Sequence, residues 1–138
     1  MRKVLIIFTS EVGGVRTAEE SEGDETESQP YSVYYSKKKE DGEVATRVTF
    51  DGKRLTVDID GYYEGSYIYE EGFKTEGFIS AGLGKERVNI FTERLVVSHK
   101  GGATLIRAKY ISELMGEKSD CSFTFLIRPF SARGLADG

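Results

Sequence analysis

Few side chains in this sequence are of the types that carry out chemistry, and they are not spaced as a catalytic motif. His99 is the single histidine and Cys121 the single cysteine, whereas a zinc site needs several nitrogen or sulfur ligands. Cys121 alternates with Phe123 and Phe125, which predicts a buried thiol rather than a reactive thiolate. His99 is expected at a strand end on the surface. We therefore predict no metal site, no cofactor and no catalytic residue, although the sequence does not exclude an enzyme.

Acidic residues are numerous, but their arrangement is typical of a solvated surface. Asp58 and Asp60 fall on the polar face of an alternating run, and a glycosidase pair would need one carboxyl in a cleft. A second cluster lacks the ligand spacing of a calcium-binding loop; it comprises Glu22, Asp24, Glu25 and Glu27. Neither group predicts a catalytic pair or a cation site.

Basic and tyrosine side chains inside β-patterned runs are the better candidates for a binding site. They are Tyr34, Arg47, Tyr69, Arg107 and Tyr110. One interpretation places them on the outer surface, in cross-strand pairs with acidic residues. The other places some of them inside a barrel, where arginine and tyrosine would suit a small polar or anionic ligand. Which of the two interpretations applies depends on the strands that carry these side chains and on the face to which each side chain points.

Strands account for most of the chain. Leu55, Val57 and Ile59 alternate with polar residues, as in a half-buried antiparallel strand, and Asp51-Gly52 before them is a tight-turn signal. Strands are predicted at 3–10, 31–38, 43–50, 54–60, 66–71, 73–80, 86–93, 103–111 and 120–128, with 94–99 either a bent continuation or a separate strand. Eight or nine strands joined by short hairpins predict an all-β antiparallel meander barrel, with a β-sandwich as the alternative.

One long segment does not follow this pattern. Residues 11–29 hold seven acidic residues and no aromatic residue, so they are predicted to form a mobile acidic loop. Residues 131–138 are predicted to be a frayed tail. At 138 residues, the chain is expected to be a single domain spanning 1–138.

The charge and hydropathy of the chain limit its partners. The net charge is −4 at pH 7, which argues against nucleic acid, because that partner generally requires a basic surface. No run approaches the roughly 20 apolar residues of a membrane helix. The opening segment MRKVLIIFTSEV lacks the longer apolar region of a signal peptide, and a single cysteine fits a reducing compartment. We expect a cytoplasmic protein without nucleic-acid or membrane partners.

Several short motifs resemble those of one protein family. Gly84-Lys85 is followed by Val88-x-Ile90-x-Thr92, and Gly101-Gly102-x-x-Leu105 precedes Tyr110. With the closing strand that ends at Ile127, and more loosely with Tyr31–Tyr35, Thr46 and Gly61-Tyr62, these motifs resemble the YwiB-like family of small bacterial proteins of unknown function. The resemblance implies a calycin-like barrel, the architecture of lipocalins and streptavidin, and it implies no activity.

Two functions are left open by these observations. The first is a non-enzymatic module that binds a small ligand inside the barrel. The second is a protein-interaction or homodimer-forming domain that uses a strand edge or a tyrosine-rich face. An open cavity would favour the first function, and a filled barrel with an apolar patch would favour the second.

Overall fold

The described part of the chain folds into a ten-stranded antiparallel barrel. The structure, a computed structural model, describes residues 1–80, 82 and 84–130, and the predicted tail at 131–138 lies outside them. The strands are β1 (Arg2–Val12), β2 (Val15–Thr26), β3 (Tyr31–Lys39), β4 (Gly42–Phe50), β5 (Leu55–Gly61), β6 (Glu64–Tyr69), β7 (Lys74–Ser80), β8 (Lys85–Lys100), β9 (Ala103–Leu114) and β10 (Glu117–Pro129). Across the described residues, no helix is long and apolar enough to cross a membrane.

The strands follow one another around the barrel in sequence order, and β1 closes it by pairing with β10. This closure confirms the predicted all-β meander barrel. The sandwich alternative is wrong, because the strands form one continuous sheet rather than two facing ones. The number of strands is ten rather than eight or nine, and the additional strand is β2.

The interior is built from the strict alternation of side chains along each strand. In β10, Cys121, Phe123, Phe125 and Ile127 are buried, and the residues between them are exposed or half-buried. The burial of Cys121 was predicted from this alternation. Because successive side chains of a strand point to opposite faces, the buried positions identify the lumen side of each strand that has them, which is every strand except β7.

The stretch at 94–99 is a bent continuation of β8 and not a separate strand. The pairing of β8 with β9 shifts register between Thr92 and Arg94. A bulge of this kind inserts one residue and bends the strand. As a result, Thr92 is fully buried and Leu95 packs against the same core, although three positions separate them.

The prediction of a mobile loop at 11–29 is wrong. Residues Val15–Thr26 form β2, which pairs along the whole length of β1. The strand was missed because its inward positions include small residues such as Ser21 and Gly23, which produce no apolar alternation. At Gly23 an added Cβ would lie 2.5 Å from the backbone oxygen of Tyr34 and 2.7 Å from Cδ1 of Ile6, so only glycine fits this close approach to the β3 backbone. Backbone pairing and close packing therefore hold β2 in place.

The two ends of the barrel differ. At the closed end, the fully buried side chains of Leu55, Ile106 and Ile127 fill the interior. At the other end, here called the mouth, five hairpins connect β1 to β2, β3 to β4, β5 to β6, β7 to β8 and β9 to β10. The closed end therefore supplies the core, and the mouth leaves the lumen accessible.

A buried carboxylate ties together the strands at the closed end. Glu25 of β2 accepts a hydrogen bond from the Tyr31 hydroxyl at 2.6 Å and one from Nε of Arg2 at 2.7 Å. Arg2 also donates to the carbonyl oxygen of Gly102 at 2.7 Å. The β1, β2 and β3 strands and the β8–β9 turn are thus joined by one charged network, which satisfies a carboxylate that would be costly to bury alone.

Candidate functional site

The barrel lumen contains a cavity of about 730 Å³ that opens at the mouth. All ten strands contribute to its wall. Much of the wall is aliphatic, from Val44, Val57, Ile59, Ile79, Val88 and Ile90. The cavity lies within the range of roughly 300–1,000 Å³ that is typical of small-molecule sites.

Aromatic rings form the deep part of the cavity. Phe8 and Phe125 lie 4.7 Å apart between ring centroids, and Tyr69 lies 5.0 Å from Phe123 and 4.9 Å from Tyr110. These pairs are tilted or edge-to-face, the arrangements that aromatic rings prefer. The cluster gives the cavity a rigid, apolar floor against which a flat or aliphatic molecule could pack.

Tyrosine hydroxyl groups supply polar atoms within the lumen, together with serine and threonine hydroxyl groups such as those of Thr46 and Ser112. Burial is the main cause that raises the pKa of Tyr35 and of Tyr110 to about 12. Burial likewise raises the pKa of Tyr67, and it raises that of Tyr69 well above its ordinary value. All four hydroxyls are therefore protonated at neutral pH, and each can donate or accept a hydrogen bond.

Formal charges among the described wall residues are confined to Glu19, Lys37 and Lys39. The Lys37 ammonium donates a hydrogen bond to the carbonyl oxygen of Glu20 at 2.7 Å. The Lys39 ammonium lies 3.5 Å from a carboxylate oxygen of Glu19. Lys39 ends β3, immediately before the β3–β4 turn, so the two ammonium groups belong to the mouth, whereas Glu19 pairs with Phe8 on the neighbouring strand.

The two lysines lie where the barrel wall is least regular. The β2 and β3 strands pair from Thr26–Ser32 only as far as Gly23–Tyr35. Nearer the mouth, among the residues the structure describes, side-chain contacts from Lys37 and Lys39 to β2 replace the backbone ladder. Side-chain contacts can be exchanged for contacts to a ligand more easily than backbone pairing can.

His99 and Cys121 do not come together. The Nδ1 atom of His99 lies 2.9 Å from the Thr104 hydroxyl, and its ring lies 5.1 Å from that of Tyr31, which belongs to the closed end. Cys121 instead lines the mouth cavity, with its Sγ 3.5 Å from the Ser112 hydroxyl. The described residues also contain no group of three or more His, Cys, Asp or Glu side chains that could hold a metal ion.

The five candidate binding residues are divided between the two faces of the wall. Tyr69 and Tyr110 line the cavity. Tyr34, Arg47 and Arg107 are exposed on the outer surface, where the Arg47 guanidinium lies 5.1 Å from the centroid of the Tyr34 ring. Of the five candidates, the cavity therefore brings together only Tyr69 and Tyr110.

Sequence reasoning missed the cavity residues of β3. Tyr35, Lys37 and Lys39 share one face with the buried Tyr31 and Val33. The alternation Tyr31-x-Val33-x-Tyr35 was a usable signal, because its continuation places Lys37 and Lys39 on the same inward face.

Stability is expected to fall above pH 10. The ordinary tyrosine pKa is 10.0, and burial raises it to about 12 for Tyr35 and Tyr110. Between these values the unfolded chain has lost protons that the folded chain retains, so stability decreases as pH rises. Urea unfolding midpoints measured across this range should decline less in a variant carrying Tyr35→Phe and Tyr110→Phe. An identical decline in that variant would contradict the attribution of the pH dependence to Tyr35 and Tyr110.

Comparison with known proteins identifies the fold. No family model matches the chain, and no curated protein matches it. One solved structure does, described as the crystal structure of ywiB protein from Bacillus subtilis. The TM-score is 0.78 at 13% sequence identity, and the alignment covers 94% of this chain and 93% of that chain. The structural neighbour of this closed β-barrel is thus YwiB, which agrees with the resemblance in the sequence motifs and shows a shared fold.

Proposed function

We propose that this protein is a non-enzymatic binding protein that holds one small molecule in the barrel lumen. The observation that carries the proposal is the cavity of about 730 Å³, open at the mouth and lined by aromatic and aliphatic side chains. A cavity with an apolar wall and a few converging polar groups is the usual form of a small-molecule site.

The wall chemistry supports binding more than catalysis. The polar groups in the lumen are mainly hydroxyls of tyrosine, serine and threonine, of which the tyrosines stay protonated at neutral pH, and Cys121 lies at the opposite end from the single histidine. A nucleophile generally requires an adjacent base, which this arrangement does not provide. Such a wall favours desolvation and hydrogen bonding of a ligand without its chemical conversion.

The architecture supports the same proposal. In up-and-down barrels of the calycin type, such as lipocalins and streptavidin, the lumen holds one ligand. We assign this barrel to the same calycin-like group, because it is a closed meander with one filled end and one open end. With a single cysteine the chain can form no intramolecular disulfide, which suits a reducing compartment, and we propose a cytoplasmic location.

The alternative, an interaction domain, has weaker support. Each described strand pairs with two neighbours, so no edge strand is free along its whole length. Of the eight tyrosines, only Tyr34 and Tyr62 are exposed. Among the described residues, the outer surface therefore offers no strand that is free along its whole length and only two exposed tyrosines, although β2 and β3 do not pair with each other near the mouth.

The proposal predicts saturable binding of N-phenyl-1-naphthylamine, a neutral apolar dye whose fluorescence rises in apolar surroundings. Thr46 of β4 and Ser112 of β9 both line the cavity, and the two strands stand opposite each other in the ten-strand order. Replacing both by tryptophan fills the lumen from two sides. Dye affinity should fall at least about tenfold, or ~1.4 kcal/mol.

A matched control uses the outer face of the same two strands. Arg47 on β4 and Arg107 on β9 are exposed, so Arg47→Trp with Arg107→Trp places the same two tryptophan side chains outside the barrel. Dye affinity should be unchanged in this control. Loss of binding in the control, retention in the lumen variant, or absence of binding to the wild type would each contradict the proposal. Circular dichroism checks folding, and the single tryptophan variants replace the double variant if it unfolds.

A further inference from the structure

We infer that the ligand of the lumen carries one anionic group, which the ammonium groups of Lys37 and Lys39 hold at the mouth while its apolar body lies on the aromatic floor. This inference rests on the proposed binding function. It adds the chemical class of the ligand, an apolar molecule with an acidic head, and the direction in which it enters the barrel.

The position of the lysines is the first support. Lys37 and Lys39 are alternate residues of β3 and line the cavity, with Lys37 half-buried and Lys39 exposed at its rim, whereas Lys38 between them does not line it. Both ammonium groups lie beside the irregular seam between β2 and β3. They therefore present two positive charges to any group that occupies the mouth.

The present hydrogen bond of the Lys37 ammonium can be exchanged for one to a ligand. Lys37 donates to the carbonyl oxygen of Glu20 at 2.7 Å, which is a neutral acceptor. An ammonium has several N–H donors, and its hydrogen bonds to an anionic oxygen are stronger than those to a carbonyl. A ligand carboxylate, sulfonate or phosphate at the mouth would thus be preferred over, or added to, the present contact.

The charge balance of the wall favours an anion over a cation. Two lysines face one glutamate among the described wall residues, and Glu19 already lies 3.5 Å from the Lys39 ammonium. The exposed carboxylates of Glu40 and Asp41 in the β3–β4 turn oppose the positive charge of the two lysines. They do not line the cavity, and solvent and salt screen their effect.

The composition of the deep lumen fixes the orientation of the ligand. Below the mouth the described wall consists of aromatic and aliphatic residues and uncharged polar groups, and the one charged residue level with them is Glu19, an acid that pairs with Phe8. Burying an unpaired anion on the rings of Phe8, Phe123 and Phe125 would be costly. The acidic group therefore stays at the mouth, and the apolar body enters first.

Two dyes of the same skeleton test the inference. 8-Anilino-1-naphthalenesulfonate is N-phenyl-1-naphthylamine with an added sulfonate, so the ratio of their dissociation constants reports on the anionic group. In the variant Lys37→Gln with Lys39→Gln, affinity for the sulfonate dye should fall about tenfold or more. Affinity for the neutral dye should change less than about twofold.

Lys38→Gln supplies the control, since it removes the same kind of charge from the outward face of the same strand. It should leave both dissociation constants unchanged. The inference is overturned if the ratio is unaltered by the Lys37 and Lys39 changes, or if Lys38→Gln alters it equally. These failures differ from failure of the proposed function, in which the neutral dye does not bind the wild-type lumen at all.

Discussion

Replacing Phe125 by alanine is expected to lower the free energy of unfolding by about 3–5 kcal/mol. The side chain is 2% exposed, and its ring lies 4.7 Å from that of Phe8 and 5.4 Å from that of Phe123. Removing the ring loses the free energy gained by transferring it out of water. It also leaves a cavity between Phe8 on β1 and Phe123 on β10. Equilibrium unfolding in urea would measure the loss as a lower midpoint.

Phe73 provides a matched control for this change. It is 55% exposed in the turn between β6 and β7, so its replacement by alanine removes the same atoms from a solvated position. The expected loss is within about 1 kcal/mol. Equal losses for the two variants would show that the aromatic floor does not organise the barrel.

Replacing Glu25 by alanine is expected to destabilise the protein by about 3 kcal/mol. The change leaves the Tyr31 hydroxyl and the Arg2 guanidinium without the carboxylate that accepts their hydrogen bonds at 2.6 Å and 2.7 Å. Because Glu25 is 1% exposed, water does not readily replace it. Thermal unfolding would report the loss, and Glu25→Gln should be less damaging, since its amide oxygen can still accept from Tyr31.

A neighbouring carboxylate separates this effect from a general loss of charge. Glu27 lies 3.3 Å from Arg2 and its side chain is 68% exposed. Exposed ion pairs contribute little, so Glu27→Ala should cost less than about 1 kcal/mol. If Glu25→Ala cost no more than Glu27→Ala, the charged network would not be what joins the strands of the closed end.

The parts of the fold that were predictable from the sequence are those in which local pattern and tertiary position agree. In β5 and β10, apolar residues alternate with polar ones, so Leu55 and Phe125 were placed on a buried face from spacing alone. The hairpin connections followed from turn residues such as Gly52. Antiparallel neighbours with short connections then led to a meander, and the closed barrel confirmed it.

The β2 strand could not be predicted because its stability is not local. Its inward residues are small or polar, and its acidic residues include Asp24, whose carboxylate lies 3.1 Å from the Lys3 ammonium on β1. The buried Glu25 depends on Arg2 and Tyr31, which lie on other strands. Composition indicated disorder, whereas pairing along β1 and this charged network supply the order.

The residues that line the cavity were only partly predictable for a related reason. Tyr69 and Tyr110 could be assigned to strands, but Arg47 and Arg107 occupy equally good β-patterned runs and face outward. Which face of a strand lines the lumen depends on its register with neighbours around the whole barrel. That register is a long-range property, and local spacing reveals it only where one face is plainly apolar.

The central claim is that the lumen admits one small molecule through the mouth. A crystal structure of the protein with bound 8-anilino-1-naphthalenesulfonate tests it most directly. One dye is expected in the cavity, with its rings against Phe8, Phe123 and Tyr69 and its sulfonate within hydrogen-bonding distance of Lys37 or Lys39. A dye bound only on the outer surface, or a lumen closed by its own side chains, would show that the lumen is not a binding site.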